Sequence, residues 1–231
     1  MPISPLPDPA AFRNTGWALA GRIQATTLDR LRNVCDRLLH TPPEAGRSLS
    51  LGDNRRFLAH AHLHDEDLRT VVLGPELKAV ATHFLGAAPY LFNEQFVVKG
   101  PKTGAPFAWH QDSGYVGFEH KPYLSVWIAL DDTTLENGPI YLLPRDLDRE
   151  THVEPHVWDE AAKERVGYTG AEPGQPALMS AGGIVVFSSL TLHRSSANTS
   201  DAPRRAYLAQ YSTEPILDPT TGRPKSFATP L

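Results

Sequence analysis

WHQDSG, residues 109–114, is the stretch on which the reading of this chain turns. Along an extended strand successive side chains alternate between faces, so His110 and Asp112 project to the same side. A histidine and a carboxylate sharing a strand face are two ligands of a mixed metal site that lacks its third. Spacing alone leaves a second reading open: a structural, hydrogen-bonded His–Asp pair with no metal.

The third candidate lies in GGIVVFSSLTLHRSS, residues 182–196, an apolar run that reaches His193 and continues to Ser195 on the same face. Asn198, Ser200, Asp201 and Pro203 then mark a turn, followed by Arg204 and Arg205. A hairpin centred between Asn198 and Thr199 pairs His193 with Arg204, both on the metal side. A one-residue slip presents Arg205 instead. Two histidines and one carboxylate occupy one face of an octahedral ion and leave three positions open, the arrangement of non-heme Fe(II) oxygenases. A chelating 2-oxo acid fills two of them and leaves one for O2, and its far carboxylate calls for an arginine fork. The same ligands can also hold zinc with an open water position, as in a zinc-dependent hydrolase. A non-catalytic cupin-like binding protein is the remaining alternative.

Working outward, the residues after Pro89 read as short strands between turn residues: 90–99, 108–112, 124–130, 140–143, 184–195 and 204–211. In the first of these the odd positions Leu91, Asn93, Gln95, Val97 and Lys99 share a face. Its polar members line either a wet pocket or open solvent. Before Pro89 the periodicity is helical, over 26–39 (Leu28, Leu31, Val34, Cys35, Leu38, Leu39), over 64–73, and from Pro75 through Leu77, Val80, Phe84 and Leu85 to Gly86. The expected architecture is one mainly β domain spanning 1–231. A helical N-terminal part, about 1–88, packs on a β core, about 89–231, wound as a double-stranded β-helix or jelly roll. Residues 145–175 form a long irregular connection of the kind that serves as a lid. His60, His62 and His64, ahead of the acidic turn Asp65-Glu66-Asp67, read as surface or cap residues. His152, Glu154 and His156 read as a solvated loop, with a lid contact as second choice. Trp109, Phe107 and Tyr115 read as packing around the site, with substrate contact as a second reading for Tyr115.

Composition narrows the partners. A net charge of -4 without any run of lysine or arginine argues against nucleic acid. No apolar stretch approaches the roughly 18 residues of a membrane span. The start, MPISPLPDPA, has neither a basic nor an apolar run, so no signal peptide is expected. Cys35 is the single cysteine, which excludes an internal disulfide and makes a reducing, cytoplasmic location the expectation. A small-molecule substrate and a monomer or weak homodimer complete this picture.

Taken in order, these motifs resemble the phytanoyl-CoA dioxygenase family of Fe(II)- and 2-oxoglutarate-dependent oxygenases, which includes ectoine hydroxylase and many natural-product hydroxylases. The resemblance runs from His64 to Tyr207. It rests on LGAAP (85–89), VVKGPKTG (97–104), WHQD (109–112), ENGPIYLLP (136–144), and HRS (193–195) followed by Arg204. It implies hydroxylation of a C–H bond of a small metabolite or natural-product intermediate, with release of succinate and CO2. It implies iron bound by His110, Asp112 and His193, with Arg204 and Ser195 holding 2-oxoglutarate. Lys99 matches a family lysine that reaches the co-substrate, and Gln95, on the same strand face, joins the cofactor-binding set. The eleven-residue step from His193 to Arg204 matches the family spacing and favours Arg204 over Arg205. Two departures stand out: Arg145-Asp146-Leu147 where the family usually has Gly-Ser-His, and Gly182-Gly183 where it has Gly-Asp. Related halogenases replace the carboxylate ligand with a small residue, so Asp112 itself resembles a hydroxylase.

Overall fold

A computed structural model gives the fold for residues 5–41, 48–51, 55–102 and 104–231. The chain opens with α1 (Pro9–Thr15), β1 (Trp17–Arg22) and α2 (Ala25–His40), then β2 (Ser48–Leu51), β3 (Arg55–Ala59), α3 (Glu66–Val72) and α4 (Pro75–Leu85). The central strands are β4 (Tyr90–Lys99), β5 (Phe107–His110), β6 (Leu124–Ala129) and β7 (Ile140–Leu142). They are followed by β8 (Val157–Asp159), β9 (Glu164–Val166), β10 (Gln175–Pro176), β11 (Gly183–Ser188), β12 (His193–Ser195), β13 (Arg204–Ser212) and β14 (Thr229–Pro230). Among the described residues every strand pair is antiparallel, in a large sheet ordered β1-β11-β6-β13-β4-β3-β2, which β14 joins at β4, a small one ordered β10-β7-β12-β5, and a separate β8-β9 pair. This is the mainly β, jelly-roll architecture expected.

Side-chain alternation explains the layers. On β6, Val126 and Ile128 turn outward to the helices, where they join Leu31, Val34, Leu68, Leu77 and Val80 in the larger core. Trp127 and Ala129 turn inward and meet Ile140, Leu142, Phe187 and Leu208 between the two sheets. Cys35 sits in the helix-side core, where burial pushes its thiol up to about 12, so it is an inert packing residue. Among the described residues no helix is long and apolar enough to cross a membrane.

Three expectations need correction. The segment before residue 89 is not purely helical: β1 extends one edge of the large sheet by pairing with β11, and β3 extends the other by pairing with β4. The strand expected over 184–195 is two strands, because β11 ends at Ser188 and the chain turns through Ser189–Leu192 before resuming as β12 in the small sheet. That turn meets its own hydrogen-bonding needs: the Thr191 N–H donates to the Ser188 carbonyl at 2.8 Å and the Thr191 hydroxyl to the Gly16 carbonyl at 2.7 Å. It follows that His193 and Arg204 are not hairpin partners. β12 pairs with β5 and β7, whereas β13 pairs with β4 and β6 in the other sheet.

A fourth correction concerns the parity of β4. A bulge between Gln210↔Asn93 and Tyr211↔Leu91 leaves Phe92 without an opposite number. An extra residue on one strand reverses alternation beyond it. Leu91 therefore joins the helix-side core, while Phe92 and Asn93 both line the cavity.

Candidate metal centre

β5 delivers His110 and ends there, and Gln111 stays extended (φ -111°, ψ 138°) before a short 3-10 turn over Asp112–Tyr115. One extended residue between them keeps His110 and Asp112 on the same side, although the strand itself is shorter than 108–112. His193 on β12 is the cross-strand partner of His110, and their rings lie 4.1 Å apart. Each imidazole has its Nδ1 against a backbone carbonyl, at 2.8 Å for His110 to Ala108 and 3.0 Å for His193 to Thr191. A carbonyl only accepts, so Nδ1 carries the hydrogen and Nε2 presents a lone pair. Burial, reinforced by the neighbouring His193, holds the His110 imidazole well below its ordinary pKa, in the neutral form that binds metals.

The two Nε2 atoms converge on Asp112 Oδ1, at 3.8 Å from His110 and 3.6 Å from His193. All three ligand atoms lie within 4.8 Å of one another, a spacing that fits a single ion. Asp112 Oδ2 is taken up otherwise, accepting from Ser125 Oγ at 2.5 Å and Gln210 Nε2 at 2.8 Å. Two imidazole nitrogens and one carboxylate oxygen converging from one side are a donor set that would suit Fe(II) with three positions open.

A cavity of about 380 Å³ opens onto this triad, and every expected site residue lines it: His110, Asp112, His193, Arg204, Ser195, Lys99 and Gln95. Part of its wall is a row of basic side chains. Arg55, Lys99 and Arg204 are register partners on the adjacent strands β3, β4 and β13, and all three are buried. Arg204 donates from Nη2 to the Gly138 carbonyl at 2.9 Å, while its Nε and Nη1 are buried without a partner. Lys99 Nζ donates to the Ser196 carbonyl. Burial, with Arg204 and Arg55 nearby, pulls Lys99 down to about 6, and burial pulls Arg204 down to about 10. Unpaired donors and basic groups of lowered pKa lining a cavity are what an incoming carboxylate would satisfy. Arg205 lies on the reverse face, bound to Asp131 at 2.7 Å and to Asp36 of α2 at 2.6 Å.

Five contributors have no counterpart in the sequence reading. Ser125 and Gln210 hold Asp112. Gln111, wedged between two ligands, donates to the Leu190 carbonyl at 2.6 Å and accepts from the Glu154 N–H at 2.6 Å. Arg55 forms a buried ion pair with Glu164 at 2.9 Å. A signal existed for Arg55, since Arg55, Phe57 and Ala59 alternate with Leu58 at strand period; none existed for Glu164, 109 residues away.

The connection 145–175 is more ordered than expected, because β8 and β9 form a hairpin within it. It is tied to the site at several points. Glu164 also accepts from the Ala108 N–H at 2.9 Å, and His156 Nε2 accepts from the Gln111 N–H at 3.0 Å. Gly114 and Gly167 flank the His156 ring, where a Cβ on either would approach it to 2.5 Å. His156 is thus a lid contact rather than a solvated loop residue. The family departure Arg145 is buried and donates to the carbonyls of Glu150 at 2.8 Å and His152 at 2.7 Å, anchoring the same strap. His62 also departs from expectation: it is buried against Glu94 at 2.9 Å, and Asp65 alone caps α3. Glu164→Ala would leave Arg55 charged, buried and unpaired, so unfolding by denaturant should show a loss of about 3–5 kcal/mol. A change below about 1 kcal/mol would mean the strap is not held by this pair.

The phytanoyl-CoA dioxygenase family matches the chain over residues 12–206. Phytanoyl-CoA dioxygenase domain-containing protein 1 of Mus musculus is 26% identical over 158 residues, covering 65% of this chain and 54% of that protein. L-proline trans-4-hydroxylase of Streptomyces griseoviridis is 27% identical over 179 residues, covering 68% of this chain and 67% of that one. The chain spans about half the length of the first of these relatives. In the solved structures, EvdO2 from Micromonospora carbonacea var. aurantiaca, complexed with 2-oxoglutarate, superposes with a TM-score of 0.73 at 24% identity, covering 90% of this chain and 91% of that one. With the family match reaching from α1 into β13, this chain belongs to the phytanoyl-CoA dioxygenase family.

Proposed function

We propose that this protein is an Fe(II)- and 2-oxoglutarate-dependent dioxygenase that hydroxylates a C–H bond of a small molecule. The observation that carries the reading is Arg204. It lines the same cavity as the His–Asp–His cluster and keeps two buried N–H groups without partners. A zinc-dependent hydrolase would need the cluster and the open position but has no use for that arginine.

His110, Asp112 and His193 would hold the iron, with both imidazoles fixed in the Nε2-binding tautomer. Arg204 would receive the distal carboxylate of 2-oxoglutarate, with Lys99 and Ser195 beside it. Trp127, Phe187 and Leu208 pack around that end and exclude water, which strengthens the charge pairing. Bound iron supplies the redox chemistry in which one O2 converts 2-oxoglutarate to succinate and CO2 and places the second oxygen atom on the substrate carbon. The substrate would lie toward Phe57, Phe92, Phe107 and Tyr115, whose side chains give this part of the cavity an apolar wall. The cavity volume, shared with the co-substrate, suits a small metabolite, as the name of the L-proline hydroxylase relative indicates for that protein.

Anaerobically purified protein loaded with Fe(II) should release succinate from 2-oxoglutarate when oxygen is admitted, and zinc-loaded protein should not. Equal turnover of an ester or amide by the zinc form, with no succinate from the iron form, would reverse the assignment. Asp112→Gly removes the one charged ligand and should abolish hydroxylation, while chloride gains a position it can occupy. Parent-level hydroxylation by that variant would exclude Asp112 from the coordination sphere.

A further inference from the structure

The open face of the metal depends on how Asp112 presents its carboxylate. A carboxylate can bind through one oxygen or chelate through two, and the second mode takes up one more position. In this chain Oδ2 is held away from the cluster by Ser125 Oγ and Gln210 Nε2, which leaves Oδ1 to face both histidines. We infer that Gln210, assisted by Ser125, is a positioning residue that restricts Asp112 to a single metal bond and so keeps the position needed by the co-substrate open.

Three observations support this beyond the two contacts. First, Asn93, Gln210 and Ser125 are register partners on the adjacent strands β4, β13 and β6, so the donors are set by the sheet rather than by flexible loops. Second, the polarity of the Gln210 amide is dictated. Asn93 Nδ2 donates to Gln210 Oε1 at 3.0 Å, which turns the Gln210 amino group toward Asp112. Asn93 is oriented in turn by His60, whose Nε2 lies 3.0 Å from Asn93 Oδ1. Third, Asn93 enters the cavity in register with Gln210 by the same unbroken alternation that carries Lys99, Val97 and Gln95, the bulge falling beyond it at Phe92. A chain of this kind has one low-energy arrangement, since reversing either amide would set like poles against each other. Outer partners of metal ligands act by fixing orientation, and losing one typically costs roughly 10–100-fold in metal affinity or activity.

The inference rests on the iron and 2-oxoglutarate reading, and the test separates the two. Co(II) and 2-oxoglutarate are titrated anaerobically into the full chain, and the visible Co(II) spectrum reports both the binary complex and the ternary one. Ser125→Thr keeps the hydroxyl and Ser125→Val removes it at matched shape. Gln210→Leu removes the amide donor. The Val and Leu variants should still bind Co(II), but should need roughly 10–100-fold more 2-oxoglutarate to form the ternary complex, with a Co(II) spectrum altered before 2-oxoglutarate is added. The Thr variant should behave as the parent. Parent-like titrations and spectra for all three variants would overturn the positioning role. A parent protein that binds Co(II) but forms no ternary complex would overturn the functional reading itself, and this inference with it.

Discussion

His193→Ala should abolish metal binding and 2-oxoglutarate turnover in one step. The residue reaches the cluster from a different sheet segment than His110 and Asp112, so its loss leaves only two ligands on one short stretch of chain. No other described histidine, cysteine or carboxylate joins a cluster of this kind. The loss should therefore exceed the roughly 10–100-fold typical of removing a mere supporting partner. His193→Asn retains much of the volume against Phe187, whose ring lies 4.5 Å away, and should give the same result with less disturbance of packing. His110→Ala should match both. The measurement is Fe(II) or Co(II) titration beside succinate release, with far-ultraviolet circular dichroism to establish that the fold persists. Parent-rate succinate release by either His193 variant would mean that the iron is held elsewhere.

The features legible in the sequence share a physical basis. WHQD was readable because two-residue alternation survives even where the strand stops at His110: one extended residue, Gln111, is enough to carry it. The apolar strands and the amphipathic face of α2 were readable because burial imposes a period. What escaped was decided by long-range packing. The change of sheet after Ser188 leaves no mark in an apolar run that continues through Leu190 and Leu192 to His193, so one continuous strand was the natural expectation. The proposed hairpin nonetheless placed Arg204 on the cavity side, for a reason unrelated to hairpin pairing. Arg204 faces the cavity because β13 alternates against β4 and β6, where Arg204, Ala206 and Leu208 turn inward and Arg205 and Tyr207 outward. Family spacing and sheet parity reached the same residue independently. Gln210 and Ser125 remained invisible because nothing in sequence relates positions 112, 125 and 210 until the strands are laid side by side. Glu164 was hidden for the same reason, compounded by its place in a segment that reads as irregular.

That parity makes Arg204 and Arg205 the sharpest pair for testing the co-substrate site. Arg204 is 1% exposed, and a carboxylate meeting it there would be removed from water along with it. Truncating one member of a buried charge pair typically costs about 2–5 kcal/mol, much of it the penalty of leaving the other charge unpaired. At about 1.4 kcal/mol per tenfold, Arg204→Ala should weaken 2-oxoglutarate binding by about one and a half to three and a half orders of magnitude. Metal binding should survive, since Arg204 bonds to the Gly138 carbonyl and to no ligand. Arg204→Lys should recover only part of the loss, because an ammonium cannot make a forked contact. Arg205→Ala should fail differently. Its guanidinium ties Asp131 to Asp36 of α2 on the helix side of the sheet, so the variant should lose stability while its 2-oxoglutarate dependence stays near the parent's. Succinate release against 2-oxoglutarate concentration, together with a thermal melt, distinguishes the two. If Arg205→Ala proved the variant that loses 2-oxoglutarate, the parity of β13 would be inverted. If neither variant altered 2-oxoglutarate binding, the unpaired donors of Arg204 would serve another anion, and the co-substrate assignment would fall with them.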